Sequence, residues 1–297
     1  MININSATVT AQLISSLNHL LSNFLSSVYA TISSILDDLA FIDQSITSDL
    51  SPIVGDNLGS GILLICNSLI YGFLIYYAIS YLFSHLTFTQ VEHPAQFIFK
   101  LLLCSLAING SLIFCSFLIH IISLISNSVL MLGESLFHTK ISFICLIDAL
   151  NPQNYFLEGL FNIFSFDGLL KSLISISFIT LTISYSIRYV IIKVFILISP
   201  FAIVSLINAK SSWFFKSWLK NFLSMLFLQV LISLILVVYF AITFNDNTII
   251  NQLIQFGIIF TLVKANSFLK EFMGGLSAEI NFSSVSMFNM FKGGNIK

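Results

Sequence analysis

Two cations, Arg188 and Lys193, lie within a long apolar segment, and their chemistry needs an explanation first. A cation at the centre of a bilayer costs on the order of 3 kcal/mol, so such side chains usually face a bundle interior or an aqueous cavity. The functional interpretation is a positively charged lining or an ion-paired subunit contact. The simpler interpretation, which we favour, is that both cations lie near the end of a crossing and reach the headgroups. Tyr185 and Tyr189, which flank Arg188, fit such an interface.

Groups that could catalyse a reaction are sparse. The sequence contains no HExxH, GxSxG or P-loop motif, and no acid lies deep in an apolar segment. His120 lies in an apolar run, where a hydrogen bond to a neighbouring helix is favoured over a proton relay. His85 and His93 flank a short turn, which favours a solvated loop over a metal site. We therefore predict a non-enzymatic protein without a cofactor, a metal or a catalytic residue.

The four cysteines show neither a CxxC pair nor the spacing of metal ligands. Cys66, Cys104 and Cys115 lie in apolar runs and are interpreted as small core residues. Cys145 is the one expected outside a bilayer. A disulfide within the chain therefore has no evident partner.

Composition indicates which solvent surrounds these residues. Of 297 residues, 57% are hydrophobic and 8% are charged. A soluble domain carries roughly 25% charged residues, so this chain has too little polar surface to cover a globule. No basic block indicates a nucleic-acid-binding domain. The composition predicts an all-α integral membrane protein.

Five segments are long and apolar enough, or nearly so, to cross a bilayer, which takes about 20 residues as a helix. They are residues 60–83, 96–132, 169–207, 219–244 and 248–268. The second and third exceed one simple crossing, so each must tilt, bend or extend beyond the bilayer. Pro200 is the candidate bend in the third, because it lacks a backbone donor and clashes with the preceding turn.

The charges divide unequally between the two sides that these five crossings define. One side holds acids and a single lysine, Lys140; the other holds Lys100, Lys210, Lys216, Lys220, Lys264, Lys270, Lys292 and Lys297. Cytoplasmic loops are enriched in Lys and Arg. The N-terminus is therefore predicted outside and the C-terminus in the cytoplasm. This gives an extracytoplasmic segment 1–59, a transmembrane domain 60–268 with an outer loop at about 133–168, and a cytoplasmic tail 269–297.

The extracytoplasmic segment begins with a predicted amphipathic helix. Its apolar residues recur at steps of three and four, at Leu13, Leu17, Leu20, Leu21, Phe24, Val28, Ile32, Ile35, Leu36 and Leu39. Helices that bind anionic lipid are rich in Lys and Arg, and this one has none. We therefore favour packing against a sister subunit or a partner, with a helix lying on the outer leaflet as the alternative.

Aromatic and basic residues alternate where the fourth segment begins. Trp213 and Trp218 with Lys216 and Lys220 are typical of a cytoplasmic membrane boundary. An ordinary aromatic belt is the favoured interpretation, and a docking site for a cytoplasmic ATPase is the sharper alternative.

The order of these features resembles a known family. An arginine in a central span (Arg188), then Ser199-Pro200-Phe201, then Trp213 or Trp218 ahead of the next crossing is similar to the polytopic inner-membrane component of type IV secretion systems, the TrbL-like or VirB-six-like class. The outer N-terminus and the acidic outer loop agree with this, and the resemblance covers most of residues 55–275.

The resemblance implies a non-enzymatic subunit of a secretion or conjugation machine in the bacterial inner membrane. Its implied partners are copies of itself, secretion ATPases and a stalk or pilus-tip protein, with DNA or protein as the transported cargo. The alternatives are a small-solute transporter, for which no internal repeat is evident, and a phage-type pore-forming protein.

Overall fold

The computed structural model describes residues 6–55, 60–87, 93–149, 166–242 and 249–273, and within these ranges the regular structure is entirely helical. The all-α fold class is confirmed. The elements are α1 (Ser6–Ala40), α2 (Ser45–Ser48), α3 (Ser51–Val54), α4 (Gly61–Thr87), α5 (Pro94–Asn109), α6 (Ser111–Phe137), α7 (Phe143–Ala149), α8 (Phe166–Val204), a 3₁₀ turn (Ser205–Ile207), α9 (Ser212–Ala241) and α10 (Ile249–Met273).

Four of the described helices are long and apolar enough to cross a membrane. They are Gly61–Ser84, Ser111–Phe137, Gly168–Ile207 and Ser212–Ala241. Their length and composition support a membrane protein, as expected from the amino-acid content. The fourth begins at Ser212 rather than at residue 219, so the Trp213–Lys220 stretch forms its first turns.

The expected crossing at 96–132 is two helices, because the chain bends at Gly110. This residue, at φ −89° and ψ 7°, separates α5 from α6. The amide of Gly110 donates to the Leu106 carbonyl, and the Gly110 carbonyl accepts from the Phe114 amide. The amide and the carbonyl of Gly110 thus bond to the end of α5 and the start of α6, respectively. Helix α5 itself is shorter than a membrane crossing.

The expected fifth crossing, 248–268, lies in α10, a helix of 25 residues, and Leu253–Ala265 is its apolar stretch among the side chains that the structure describes. The side chains of Asn251 and Gln252 lie outside the described residues, so an interhelical role for their amides stays a prediction.

Helices α8 and α9 form the centre of the bundle. α9 contacts α6, α8 and α10, and α8 contacts α1, α4, α5, α6, α9 and α10. In their most apolar windows 50% and 61% of residues are buried, against 17% in α4. The core therefore lies around α8 and α9, and α4 lies at its edge.

The C-terminal half of α1 packs on this core, as the amphipathic pattern predicts for a buried stripe. Tyr29, Ile32, Leu36 and Ala40 are buried among residues of α7, α8 and α9. The N-terminal half leaves its apolar residues exposed, at Leu13, Leu17, Leu20 and Phe24. Only one half of the predicted helix is therefore covered by the chain's own bundle.

Parts of the predicted loop and tail lie outside the described residues. Of the loop at 133–168, the structure describes the end of α6, the short helix α7 and the start of α8. Residues 150–165 and 274–297 are not described, and neither is the turn at 88–92.

Candidate functional site

Arg188 is fully buried at the junction of three helices. Its Nε donates to the Met225 carbonyl of α9 at 3.0 Å, and its Nη1 donates to the Ala40 carbonyl of α1 at 3.1 Å. Its exposure is 0%, so the side chain does not reach a headgroup region. Snorkelling is therefore wrong for Arg188, and no carboxylate of the described residues pairs with it.

The position of Arg188 follows from the buried stripe of α8. Leu181, Tyr185, Ile192 and Ile196 occur at helical spacing on the same side, and each is buried. Ala40 is the last residue of α1, and the last carbonyls of a helix have no partner within the helix. The guanidinium therefore caps α1 and attaches its end to α8 and α9.

Gln229 on α9 holds Ile42, two residues beyond the end of α1. Its Oε1 accepts a hydrogen bond from the Ile42 amide at 3.2 Å, and its backbone carbonyl accepts from Ser126 Oγ of α6 at 3.4 Å. Gln229 is 1% exposed. Gln229 was not predicted from the sequence, although an amide within the apolar run of α9 is a usable signal, since buried amides in membrane helices pair with neighbours.

Two polar atoms beside this junction have no hydrogen-bond partner among the described residues. They are Arg188 Nη2 and Tyr185 Oη. The Tyr185 ring packs edge-on against Phe143 of α7, with ring centroids 6.1 Å apart. The guanidinium charge is therefore compensated only by two carbonyl dipoles, an arrangement suited to positioning α1 rather than to acid–base chemistry.

Lys193 lies farther along α8 and is partly exposed. Its Nζ forms an ion pair with Asp49 Oδ2 at 3.1 Å, and the two side chains are 28% and 58% exposed. The same Nζ lies 4.9 Å from the centre of the Tyr189 ring. Lys193 thus pairs within the chain, with the segment that follows α1.

Further contacts attach α1 to the bundle. Tyr29 Oη and Ser175 Oγ of α8 share a hydrogen bond of 2.9 Å, and burial raises the pKa of Tyr29 to about 12. Asp37 Oδ1 accepts from the Phe143 amide at the start of α7, at 2.9 Å. Burial raises the pKa of Asp37, and this outweighs the lowering effect of that hydrogen bond. Together the contacts orient α1 along α8.

The boundary residues of α9 divide into a buried and an exposed set. Trp218 is 3% exposed and its Nε1 donates to the Phe195 carbonyl of α8 at 2.9 Å, so it is a core residue and not part of a surface. Its ring stacks on Phe222 at 5.4 Å. Trp213 is 66% exposed, and Lys216 and Lys220 are exposed too. Three of the four residues predicted for a cytoplasmic interface are therefore exposed, and the interface itself stays a prediction.

Pro200 lies buried inside α8, and the helix continues through it to Val204. Pro200 cannot donate to the Ile196 carbonyl, since proline has no backbone N–H. Ser199 Oγ donates to that carbonyl at 2.7 Å. The adjacent serine thus satisfies the acceptor that the proline leaves.

The described residues contain no group of three or more His, Cys, Asp or Glu that could hold a metal ion. Cys66, Cys104 and Cys115 are buried free thiols, as predicted, and Cys145 is half-buried and free. His120 is exposed on α6 instead of facing a neighbouring helix.

The geometry is thus a junction that attaches an N-terminal helix to membrane helices. Comparisons with known proteins do not identify a family for the chain. No protein-family model matches the chain, and neither a curated protein nor a solved structure shows significant similarity to it.

Proposed function

We propose that the chain is a non-enzymatic membrane subunit of a type IV secretion or conjugation machine, of the TrbL-like class, which assembles or lines the route for DNA or protein. The observation that carries the proposal is the Arg188 junction. A buried cation that caps α1 and binds α9 joins distant parts of the chain without presenting a reactive group. Such a buried contact is suited to a subunit with a scaffolding role.

The residues on which the resemblance rests are buried in α8 and at its contact with α9. Arg188 and Pro200 lie on the buried side of α8, and Trp218 donates from α9 to the Phe195 carbonyl of α8. This contact favours Trp218 over Trp213 as the tryptophan of the pattern. The pattern then describes the packing of α8 on α9, which a subunit without catalytic groups needs for its shape.

The proposed arrangement places the chain in the bacterial inner membrane, with the N-terminus outside and the C-terminus in the cytoplasm. Five crossings, with α10 as the fifth, would give opposite sides to the two termini. Residues 29–54 nevertheless follow α8 from Ser175 to Ile207, so α4 begins beside the predicted cytoplasmic end of α8 and not on the outer side that this count gives it. The exposed residues Trp213, Lys216 and Lys220 would then face the cytoplasm, where a secretion ATPase binds. Copies of the chain and a stalk or pilus-tip protein are the other proposed partners.

Co-purification tests the proposal. The tagged chain is extracted from its native membrane with a mild detergent and analysed by native mass spectrometry. We expect an assembly of several copies with an ATPase. The double variant Lys216→Glu/Lys220→Glu should lose the ATPase and keep the copies together, because only the cytoplasmic contact is reversed in charge. Lys140→Glu, an exposed lysine in the predicted outer loop, should keep both.

Recovery of a lone chain that binds a small solute would contradict the proposal and favour a transporter. A homo-oligomer that conducts ions without any ATPase would favour a pore-forming protein.

A further inference from the structure

The chain between α1 and α4 follows α8 as an irregular segment. It consists of two four-residue helices, α2 and α3, joined by turns. Ile42, Ile46, Leu50 and Val54, four residues apart, are each at most 5% exposed. Their partners include residues of α6 and of the C-terminal part of α8. One side of residues 41–55 therefore belongs to the core.

The opposite side of residues 43–49 is polar and exposed, and after it Pro52 and Ile53 (52%) are exposed apolar residues. The polar side carries Asp43, Gln44, Ser45, Ser48 and Asp49. Asp43 Oδ1 accepts from the Ser45 amide at 3.0 Å, which holds the turn before α2. Nothing apolar covers these groups among the described residues.

This polar side lies beside the interior of a candidate membrane span. Asp49 pairs with Lys193, and about 20 Å of helix separates Lys193 from Ile207, where the apolar segment ends. At the same level, α8 exposes Val190 (59%) and Val194 (45%), which lie about 60° and about 100° around the helix from Lys193. One level of α8 therefore presents both an apolar side and an ion pair.

Hydrocarbon does not accept an irregular backbone with charged side chains, which occurs at membrane depth only where it is buried in protein or lines a water-filled cavity. We propose that the exposed polar side of residues 43–49 lines a water-filled vestibule that enters the membrane region and reaches the Lys193–Asp49 ion pair. Val190 and Val194 face lipid at the same depth. The inference does not depend on the secretion proposal, since any cargo or none is compatible with it.

Cysteine labelling in native membranes tests the vestibule. The parent chain carries Cys145→Ser and keeps the buried Cys66, Cys104 and Cys115, whose slow background reaction is measured first. Single cysteines are then introduced as Ser48→Cys and, as the matched control, Val194→Cys. A charged, membrane-impermeant maleimide is supplied to both membrane faces. We expect Ser48→Cys to react at least tenfold faster than Val194→Cys, while a lipid-soluble maleimide reaches both.

Each other outcome overturns the proposal. If neither cysteine reacts with the charged reagent, protein covers the polar side. If both react equally, this level of α8 lies outside the bilayer, and if only Val194→Cys reacts, the assignment of the two sides is reversed. The test is separate from co-purification, because the reaction rate does not require that an ATPase be bound.

Discussion

Replacement of Arg188 gives the sharpest test of how α1 is held. The guanidinium donates to two carbonyls on different helices, and hydrogen bonds from charged groups are worth about 1.5–3 kcal/mol each. Arg188→Lys keeps the charge but has no planar fork, so it cannot make both bonds with the same geometry. We expect it to lower the free energy of unfolding by about 1.5–3 kcal/mol, the value of one bond.

Two further substitutions separate the charge from the packing. Arg188→Ala removes both bonds and leaves a cavity at a fully buried position, for which we expect a loss of about 3–5 kcal/mol. Arg188→Met fills much of the same space and removes a buried cation that no carboxylate of the described residues compensates. We expect a loss below about 2 kcal/mol, because relief from desolvation offsets the unpaired Ala40 carbonyl.

Thermal unfolding in detergent, followed by tryptophan fluorescence, measures this order. Trp218 is a suitable reporter because it is buried between α8 and α9. The matched control is Lys193→Ala, which removes an exposed cation of the same helix and should cost less than about 1 kcal/mol. Equal stability of Arg188→Ala and the wild type would refute the buried junction. A larger loss for Met than for Lys would refute the argument that the charge itself is costly.

Three other predictions concern single positions. Trp218→Phe should lower the free energy of unfolding by about 0.5–1.5 kcal/mol through loss of one buried hydrogen bond, whereas Trp213→Phe, at an exposed position, should leave the melting temperature unchanged. Gly133→Ala should lower the melting temperature, because the added Cβ would lie 2.5 Å from Ile141 Cδ1 and 2.8 Å from Val237 Cγ2. Gly72→Ala, with open space around the added Cβ, should instead stabilise α4 by up to about 1 kcal/mol. The pKa of Asp37 is higher in the folded chain than in the unfolded chain, so its contribution to stability is complete below the unfolded-state pKa and is lost as the pH rises through the folded-state pKa. Asp37→Asn should therefore unfold at a higher temperature than the wild type at pH 7. This difference in melting temperature should vanish below about pH 4.

The sequence predicted buried positions correctly where apolar residues recur with a strong helical period. The stripe of α1 predicted burial at Ile32 and Leu36, and both are buried. These outcomes follow from the 3.6-residue period, which fixes neighbours within one helix. The pattern could not show that only half of α1 finds a partner within the chain.

The junction itself depends on contacts between residues far apart in sequence. Ala40 and Arg188 meet only after α1 and α8 pack, so a cation in an apolar run could be interpreted equally as snorkelling or as buried. Trp218 was interpreted as a boundary residue for the same reason, because its acceptor, the Phe195 carbonyl, lies on another helix. A bend was one of the three options for the over-long segment 96–132, but its position at Gly110, between α5 and α6, was not predicted.

The dependence of Arg188 on α1 leads to a reversal of sign that a purely steric role would not produce. In the full chain the Ala40 carbonyl accepts from Arg188, so Arg188→Met removes a bond and destabilises slightly. In a chain that lacks residues 1–40, this acceptor is missing and a buried cation remains with one carbonyl, a state that is costly. There Arg188→Met should raise the melting temperature and the yield of inserted protein. A substitution that destabilises both chains equally would show that Arg188 and α1 are not coupled, since independent sites give additive effects.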